Sequence, residues 1–227
     1  MPESTLSVAP GPTLHERLRS AILSLELAPG QRLSERGLEP EFGASRTPIR
    51  AALMRLESEG LVQRDGKNWM VAPLNLDEIR ALYEYREILE SASARLAIDR
   101  ASADDLDVLA ELGRGVDSTE TPEHSIDAGT SFHLELARLS GNRFLIDAMD
   151  GVLTRLYRTR WLEVQSGEAR DRVHREHEAI VAALRAGDGT AAELATVEHL
   201  RRTDERLAAS VARNRQRLRA DGIPVVD

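Results

Sequence analysis

From Thr13 onward, apolar residues recur at Leu14, Leu18, Ala21, Ile22 and Leu25, the spacing that lines one face of a helix. Ala28-Pro29-Gly30 stops the pattern. Ser34 then precedes Glu35, Arg36 and Leu38 as the N-cap of a short second helix ending by Gly43, with Pro40 removing one backbone donor inside it. Ser45 is the next N-cap, and Pro48 falls in the first turn, where a missing N–H costs little. This third helix runs to about Glu59, with Gly60 closing it. Its apolar stripe is Ile49, Ala52, Leu53 and Leu56, which leaves Arg46, Thr47, Arg50 and Met54 on the flank and back. Leu61 to Arg64, a turn at Asp65-Gly66, and Trp69 to Ala72 read as a β-hairpin. Three short helices and a hairpin predict a winged helix-turn-helix over residues 13–73, preceded by a flexible segment, 1–12.

A short linker at 74–76 leads into a second region with no comparable strand signal. Five or six helices are predicted there, at about 77–100, 102–115, 123–139, 141–162, 169–186 and 189–217, followed by a tail at 218–227. The fold class is therefore mainly α, an N-terminal winged helix-turn-helix plus a C-terminal all-helical bundle, with no internal repeat.

Composition narrows the function. With 227 residues, 41% hydrophobic and 30% charged, the chain suits two folded domains, and its 4% aromatic content favours helix over sheet. No cysteine means no disulfide, no thiolate nucleophile and no Cys-ligated zinc. No apolar run is long enough to cross a bilayer, and MPESTLSVAPGPT lacks the basic and apolar regions of a signal peptide, so a cytoplasmic protein without a membrane partner is expected.

The formal net charge of -8 is unevenly placed. Residues 1–74 hold nine basic and nine acidic side chains, against 21 and 29 in the remainder. From Phe42 to Leu56 there are three arginines and no acid. Local field, rather than total charge, attracts phosphates, so a nucleic-acid site is compatible with this acidic chain.

Arg46 and Arg50 project one turn apart from the start of the third helix, where a recognition helix meets base edges. A guanidinium can bridge guanine O6 and N7; Ser45 and Thr47, with the helix N-terminus, suit phosphate. Arg36 would reach the groove edge, and Lys67 or Asn68 at the hairpin tip the minor groove or backbone. The alternative is an ordinary solvated helix face, or a partner surface in a structural protein-interaction module.

LSERGLEPEFGASRTPIRAALMRLESEGLV resembles the N-terminal signature of the GntR family of bacterial transcription regulators, through its SRTPxR core and the LxxEGLV leading into the wing. The resemblance spans residues 13–73 and implies that Arg36, Arg46, Thr47 and Arg50 contact operator DNA, with Gly66 and Lys67 of the wing helping. The sequence departs from the family pattern at Gly37, at Pro40 and in the wing segment DGKNWMV.

In the second region, Arg86 falls on the inward stripe of Ile79, Leu82, Leu89, Ser93 and Leu96. A buried guanidinium needs a partner, either Glu90 one turn on or the carboxylate of a small ligand. His133 and His177 share inward positions of their helices, and His199 is offset from the core face of the last; such histidines are either satisfied core residues or ligands.

REILESASARLA, FHLELARLSGN, EHEAIVAALRAGD and the later EHL resemble the FCD ligand-binding domain of FadR-type GntR regulators, over about residues 77–215. In metal-binding members an Asp four positions before the FH histidine joins three histidines around a divalent cation. The resemblance places those histidines at His133, His177 and His199, and the carboxylate position at Gly129. Three imidazoles still suit Zn(II) or Ni(II), with more open positions for water or an effector carboxylate. Asp127 substitutes only if the helix starts late; His174 faces either the same cavity or the surface.

No HExxH, P-loop, GxGxxG or GxSxG is present, and His133-Leu134-Glu135 lacks the PCxxC partner of a zinc deaminase. A metal-dependent hydrolase is thus the weaker alternative. The expected function is a homodimeric repressor reading an inverted repeat in double-stranded operator DNA. A small organic acid bound by Arg86 and the histidines, or their metal, would control it.

Overall fold

The computed structural model describes residues 11–115, 117, 119, 121–160, 166–220 and 225–226. The chain divides into two compact units, Met1–Ala72 and Pro73–Asp227. All but two residues of the expected flexible segment 1–12 lie outside the described residues.

The first unit contains α1 (Leu14–Leu23), β1 (Arg32–Leu33), α2 (Glu35–Phe42), α3 (Arg46–Ser58), β2 (Val62–Asp65) and β3 (Asn68–Val71). A reciprocal pair between Thr13 and Glu16 caps α1, each side chain binding the other residue's backbone N–H. The hydroxyl of Ser34 accepts from Gly37 N at 3.0 Å and starts α2, which continues through Pro40. Ser45 occupies the N-cap position of α3, but its side chain makes no capping hydrogen bond, contrary to its expected role. The hairpin joins a third strand that sequence reasoning missed: β1 pairs with β3 through Arg32↔Met70 and Leu33↔Trp69. Two residues are too short to show alternation.

Leu18, Ile22, Ile49, Leu53, Leu56, Leu61 and Trp69 fill the core of this unit. The apolar stripe of α3 is thereby committed inward, and its arginine-bearing flank outward. Gly43, at φ 62°, makes the left-handed turn between α2 and α3 that a Cβ would strain.

The second unit contains β4 (Leu74–Asn75), α4 (Leu76–Ala97), α5 (Ala103–Arg114), α6 (Pro122–Leu139), α7 (Arg143–Arg160), α8 (Gly167–Arg185), α9 (Gly189–Ala220) and β5 (Val225–Val226). The expected linker at 74–76 and tail at 218–227 need correction. Leu74 and Asn75 pair in parallel with Val225 and Val226, burying Leu74 and Val225, while α4 begins at Leu76 and α9 extends to Ala220. Residues 161–162, expected to end the fourth helix of the bundle, lie outside the described residues.

Helix α4 packs on α6, α7 and α9, and α8 lies against α5 and α9. One apolar cluster gathers Tyr83, Leu89, Met149, Leu153, Leu156 and Leu207; another gathers Leu109, Phe132, Leu136, Ile180 and Leu184. Within this packing α4, α6, α8 and α9 bring their polar inward residues together. Among the described residues, no helix is long and apolar enough to cross a membrane.

Candidate functional site

His133 of α6, His177 of α8 and His199 of α9 are all buried, and one ring nitrogen from each lies within 4.8 Å of the others. The Nε2 atoms of His133 and His199 are 3.4 Å apart. Helices α6, α8 and α9 thus converge on one point; the inward spacing read for His133 and His177 agrees with this, while His199, offset from its helix's main core face, is buried as well.

Carboxylates set the tautomers. Nδ1–H of His133 donates to Glu90 Oε2 at 2.8 Å, and Nδ1–H of His199 donates to Glu176 Oε2 at 2.8 Å. An ionised carboxylate only accepts, so the proton stays on each Nδ1 and the Nε2 lone pair faces the centre. Arg86 Nε in turn donates to Glu90 Oε1 at 2.9 Å, and Arg206 grips both oxygens of Glu176 at 2.9 and 3.0 Å. Burial raises the Glu176 pKa, but hydrogen bonds from His199 and Arg206 outweigh it and bring it to about 2.

His177 differs from its neighbours. Its ring stacks on Phe132, 3.9 Å between centroids and 7° from parallel, yet neither ring nitrogen has a hydrogen-bond partner. Burial, then the charges of the other two histidines and of Arg160 and Arg86, hold its pKa well below the usual histidine value. Burial likewise leads the depression at His133, followed by Arg86, His199 and Arg160. Glu90, only 2.8 Å away, pulls the other way, but Arg86 already neutralises it. Both rings are therefore neutral near pH 7, the form that ligates a metal.

A buried polar group without a partner costs about 1–3 kcal/mol, and His177 has two such atoms. A divalent cation would relieve that cost at one of the two atoms, so the donor set fits a metal: His133 and His199 would offer Nε2, and His177 whichever nitrogen is not protonated.

Gly129, buried on α6 one turn before His133, supplies no carboxylate. Asp127 does not replace it, being exposed and accepting the Tyr157 hydroxyl at 2.7 Å. His174 also stays out of the cluster: its Nδ1–H donates to the Gly113 carbonyl at 3.0 Å, and its Nε2 lies 3.3 Å from Glu178. Arg86 takes the internal option, Glu90, rather than waiting for a ligand.

Sequence reasoning missed three participants. Glu176 meets His199 and Arg206 only through the packing of α8 on α9, which no local spacing announces. Arg160, buried near the end of α7, donates to Thr130 Oγ1 at 2.7 Å and contributes positive charge at the centre.

In the first unit, Arg36, Ser45, Arg46, Thr47 and Arg50 are all exposed, as are Gly66 and Lys67 at the β2–β3 turn, where Gly66 has φ 60°. The side chains of Arg46 and Arg50 are 58% and 61% exposed, so they are not folded into their own core. Each is nonetheless paired. Arg46 Nε donates to Glu39 Oε1 at 3.1 Å, and Arg50 donates through Nε and Nη2 to the two oxygens of Glu35 at 2.7 and 2.8 Å.

Comparison with known proteins gives two family matches, the FCD domain over residues 81–202 and "Bacterial regulatory proteins, gntR family" over residues 12–69. The chain is 31% identical to the HTH-type transcriptional regulator LutR of Bacillus subtilis (strain 168), over 84% of this chain and 98% of that protein. It is 30% identical to the putative HTH-type transcriptional regulator RmpR of Mycobacterium gastri, over 88% and 82%. The HTH-type transcriptional repressor RspR of Escherichia coli (strain K12) is 26% identical, over 85% and 86%. Among solved structures, a putative transcriptional regulator GntR from Rhodococcus sp. RHA1 superposes with a TM-score of 0.74, at 21% identity, over 86% of this chain and 96% of its own. E. coli McbR/YncC does so with 0.71, at 21% identity, over 86% and 95%. These two likenesses establish the fold.

Proposed function

The chain belongs to the GntR family as a DNA-binding transcriptional regulator with an FCD domain, and from that premise we propose that it is a homodimeric, metal-dependent repressor released by a small carboxylate. The observation that carries the effector half of this reading is the buried trio of His133, His177 and His199, with both nitrogens of His177 unpaired. A bound divalent cation, Zn(II) or Ni(II), would supply Lewis-acid affinity for an anionic effector. The protein's own contribution is to turn Nε2 of His133 and His199 inward through Glu90 and Glu176, while burial keeps His133 and His177 neutral. Arg160 adds positive charge at the centre, which favours an anion.

At the other end, Arg46 and Arg50 read base edges. Ser45 and Thr47 meet phosphate, aided by the uncapped state of the Ser45 hydroxyl, while Arg36, Gly66 and Lys67 flank the contact. A two-fold dimer would present two such heads to an inverted repeat. Repression is supported by the name of RspR, a transcriptional repressor. The effector acts by binding more tightly to the arrangement that does not fit the operator.

The family and these relatives are regulators, not enzymes. A hydrolase is further disfavoured by the site itself. Glu90 and Glu176 are each taken by an imidazole and a guanidinium, which leaves neither as a general base.

Calorimetric titration of chelator-stripped protein with Zn(II) and Ni(II), beside His177→Ala, tests the centre; equal heats in both proteins would retire it. A panel of small carboxylates should then release metal-loaded protein from operator DNA. Operator affinity unchanged by every bound acid would sink the regulatory reading.

A further inference from the structure

Glu35 and Glu39 stand one turn apart on α2, and Arg46 and Arg50 one turn apart on α3. The two rows face each other and close two ion pairs, Glu39 with Arg46 and Glu35 with Arg50. The pairs are unequal. Glu35 is the anchored member, its side chain only 18% exposed, whereas the Arg50 side chain is 61% exposed. Its grip is two-pointed, using the Nε and one Nη2 hydrogen of Arg50.

We propose that Glu35, seconded by Glu39, is a specificity-determining residue that orients the reading arginines toward base edges and penalises their binding to phosphate. This inference rests on the DNA-reading role assigned above to Arg46 and Arg50. A guanidinium has five N–H donors, and Glu35 occupies one edge, so the Nη1 edge of Arg50 remains available for a guanine. Carboxylate and base can therefore hold the arginine together, and the plane is fixed before DNA arrives. Phosphate is different: its negative charge, drawn to the same arginine, meets the ionised Glu35 beside it. The carboxylate thus subtracts from sequence-independent attraction while leaving the base contact intact. Arg36, exposed on α2 with no ion pair among the described residues, escapes this control and contributes to affinity for any duplex.

The test uses the full-length protein, an operator selected by it from a random duplex pool, and a scrambled duplex of equal length. In Glu35→Gln, affinity for the scrambled duplex should rise severalfold and its salt slope steepen by about one. The ratio of operator to scrambled affinity should fall about tenfold. Glu35→Asp keeps the charge but is one methylene too short for the two-point grip; its ratio should fall through weaker operator binding instead. Arg36→Ala should weaken both duplexes equally. If Glu35→Gln does not fold, Glu39→Gln reports the same effect through Arg46. An unchanged ratio and salt slope in the folded Gln variant would overturn the inference alone. A pool that the wild-type protein cannot enrich would overturn the DNA-reading role, and the inference with it.

Discussion

His133 and His199 face each other with their Nε2 atoms 3.4 Å apart, each ring held from behind by a carboxylate on its Nδ1. Two Nε2 lone pairs brought this close repel unless a proton or a metal cation lies between them. That relationship, more than the number of histidines, argues for a cation, and it makes the supporting carboxylates testable.

Glu176→Gln should lower metal affinity by about 10–100-fold, because the amide has no charge and a single acceptor oxygen for which His199 and Arg206 compete, so the His199 tautomer is no longer fixed. Competition with a chromophoric chelator measures it. Glu90→Ala should act mainly on stability, costing about 3–5 kcal/mol, since Arg86 would be left buried without its carboxylate. Urea unfolding of the metal-free protein distinguishes the two.

Acid should destabilise the metal-free protein from near neutrality downward. His133 and His177 have depressed folded-state pKa values, so below about 6.5 the unfolded chain binds protons that the folded one refuses. Stability is fully present above that value and falls as pH drops through it, by up to about 1.4 kcal/mol per pH unit for each histidine. Glu176 adds a second loss between its ordinary value of 4.5 and its folded value of about 2. Denaturation midpoints between pH 8 and pH 5 (a range of about three units) should show the first slope, and His177→Leu should flatten it. A pH-independent midpoint in that window would contradict the burial of neutral imidazoles.

Replacing Gly43 by Ala should destabilise the first unit by about 1–2 kcal/mol, because φ 62° places a Cβ against the following carbonyl. No neighbouring atom lies within 4 Å of the added Cβ, so the cost is conformational rather than steric crowding from elsewhere. Thermal unfolding of this unit, followed through Trp69, reports it, and metal affinity should be untouched.

Arg46→Ala and Lys67→Ala should fail differently on operator DNA. The first should lose about 1–3 kcal/mol and relax preference at one base position. The second should weaken all sequences alike and reduce the salt slope by about one. Binding curves at several salt concentrations against single-base operator variants separate these outcomes.

Much was legible in the chain because it was local. The stripe of Ile49, Ala52, Leu53 and Leu56 and the cap at Ser34 depend on residues within a turn or two, and the structure has them buried or capping. The same periodicity placed His133 and His177 in the interior, whereas His199, offset from the core face of its helix, is buried only through packing. What packing alone decided is who meets whom. Leu74, read in the sequence as linker, forms a strand; whether Arg86 answers a ligand or Glu90 and which carboxylate supports each imidazole were open there. So was the pairing of Arg50 with Glu35. The physical reason is range. Helical spacing tells which face of an element avoids water, since burial is nondirectional, but a hydrogen bond holds only within about 3 Å and a narrow angle. Its partners are therefore set by how whole helices pack, which no single segment encodes.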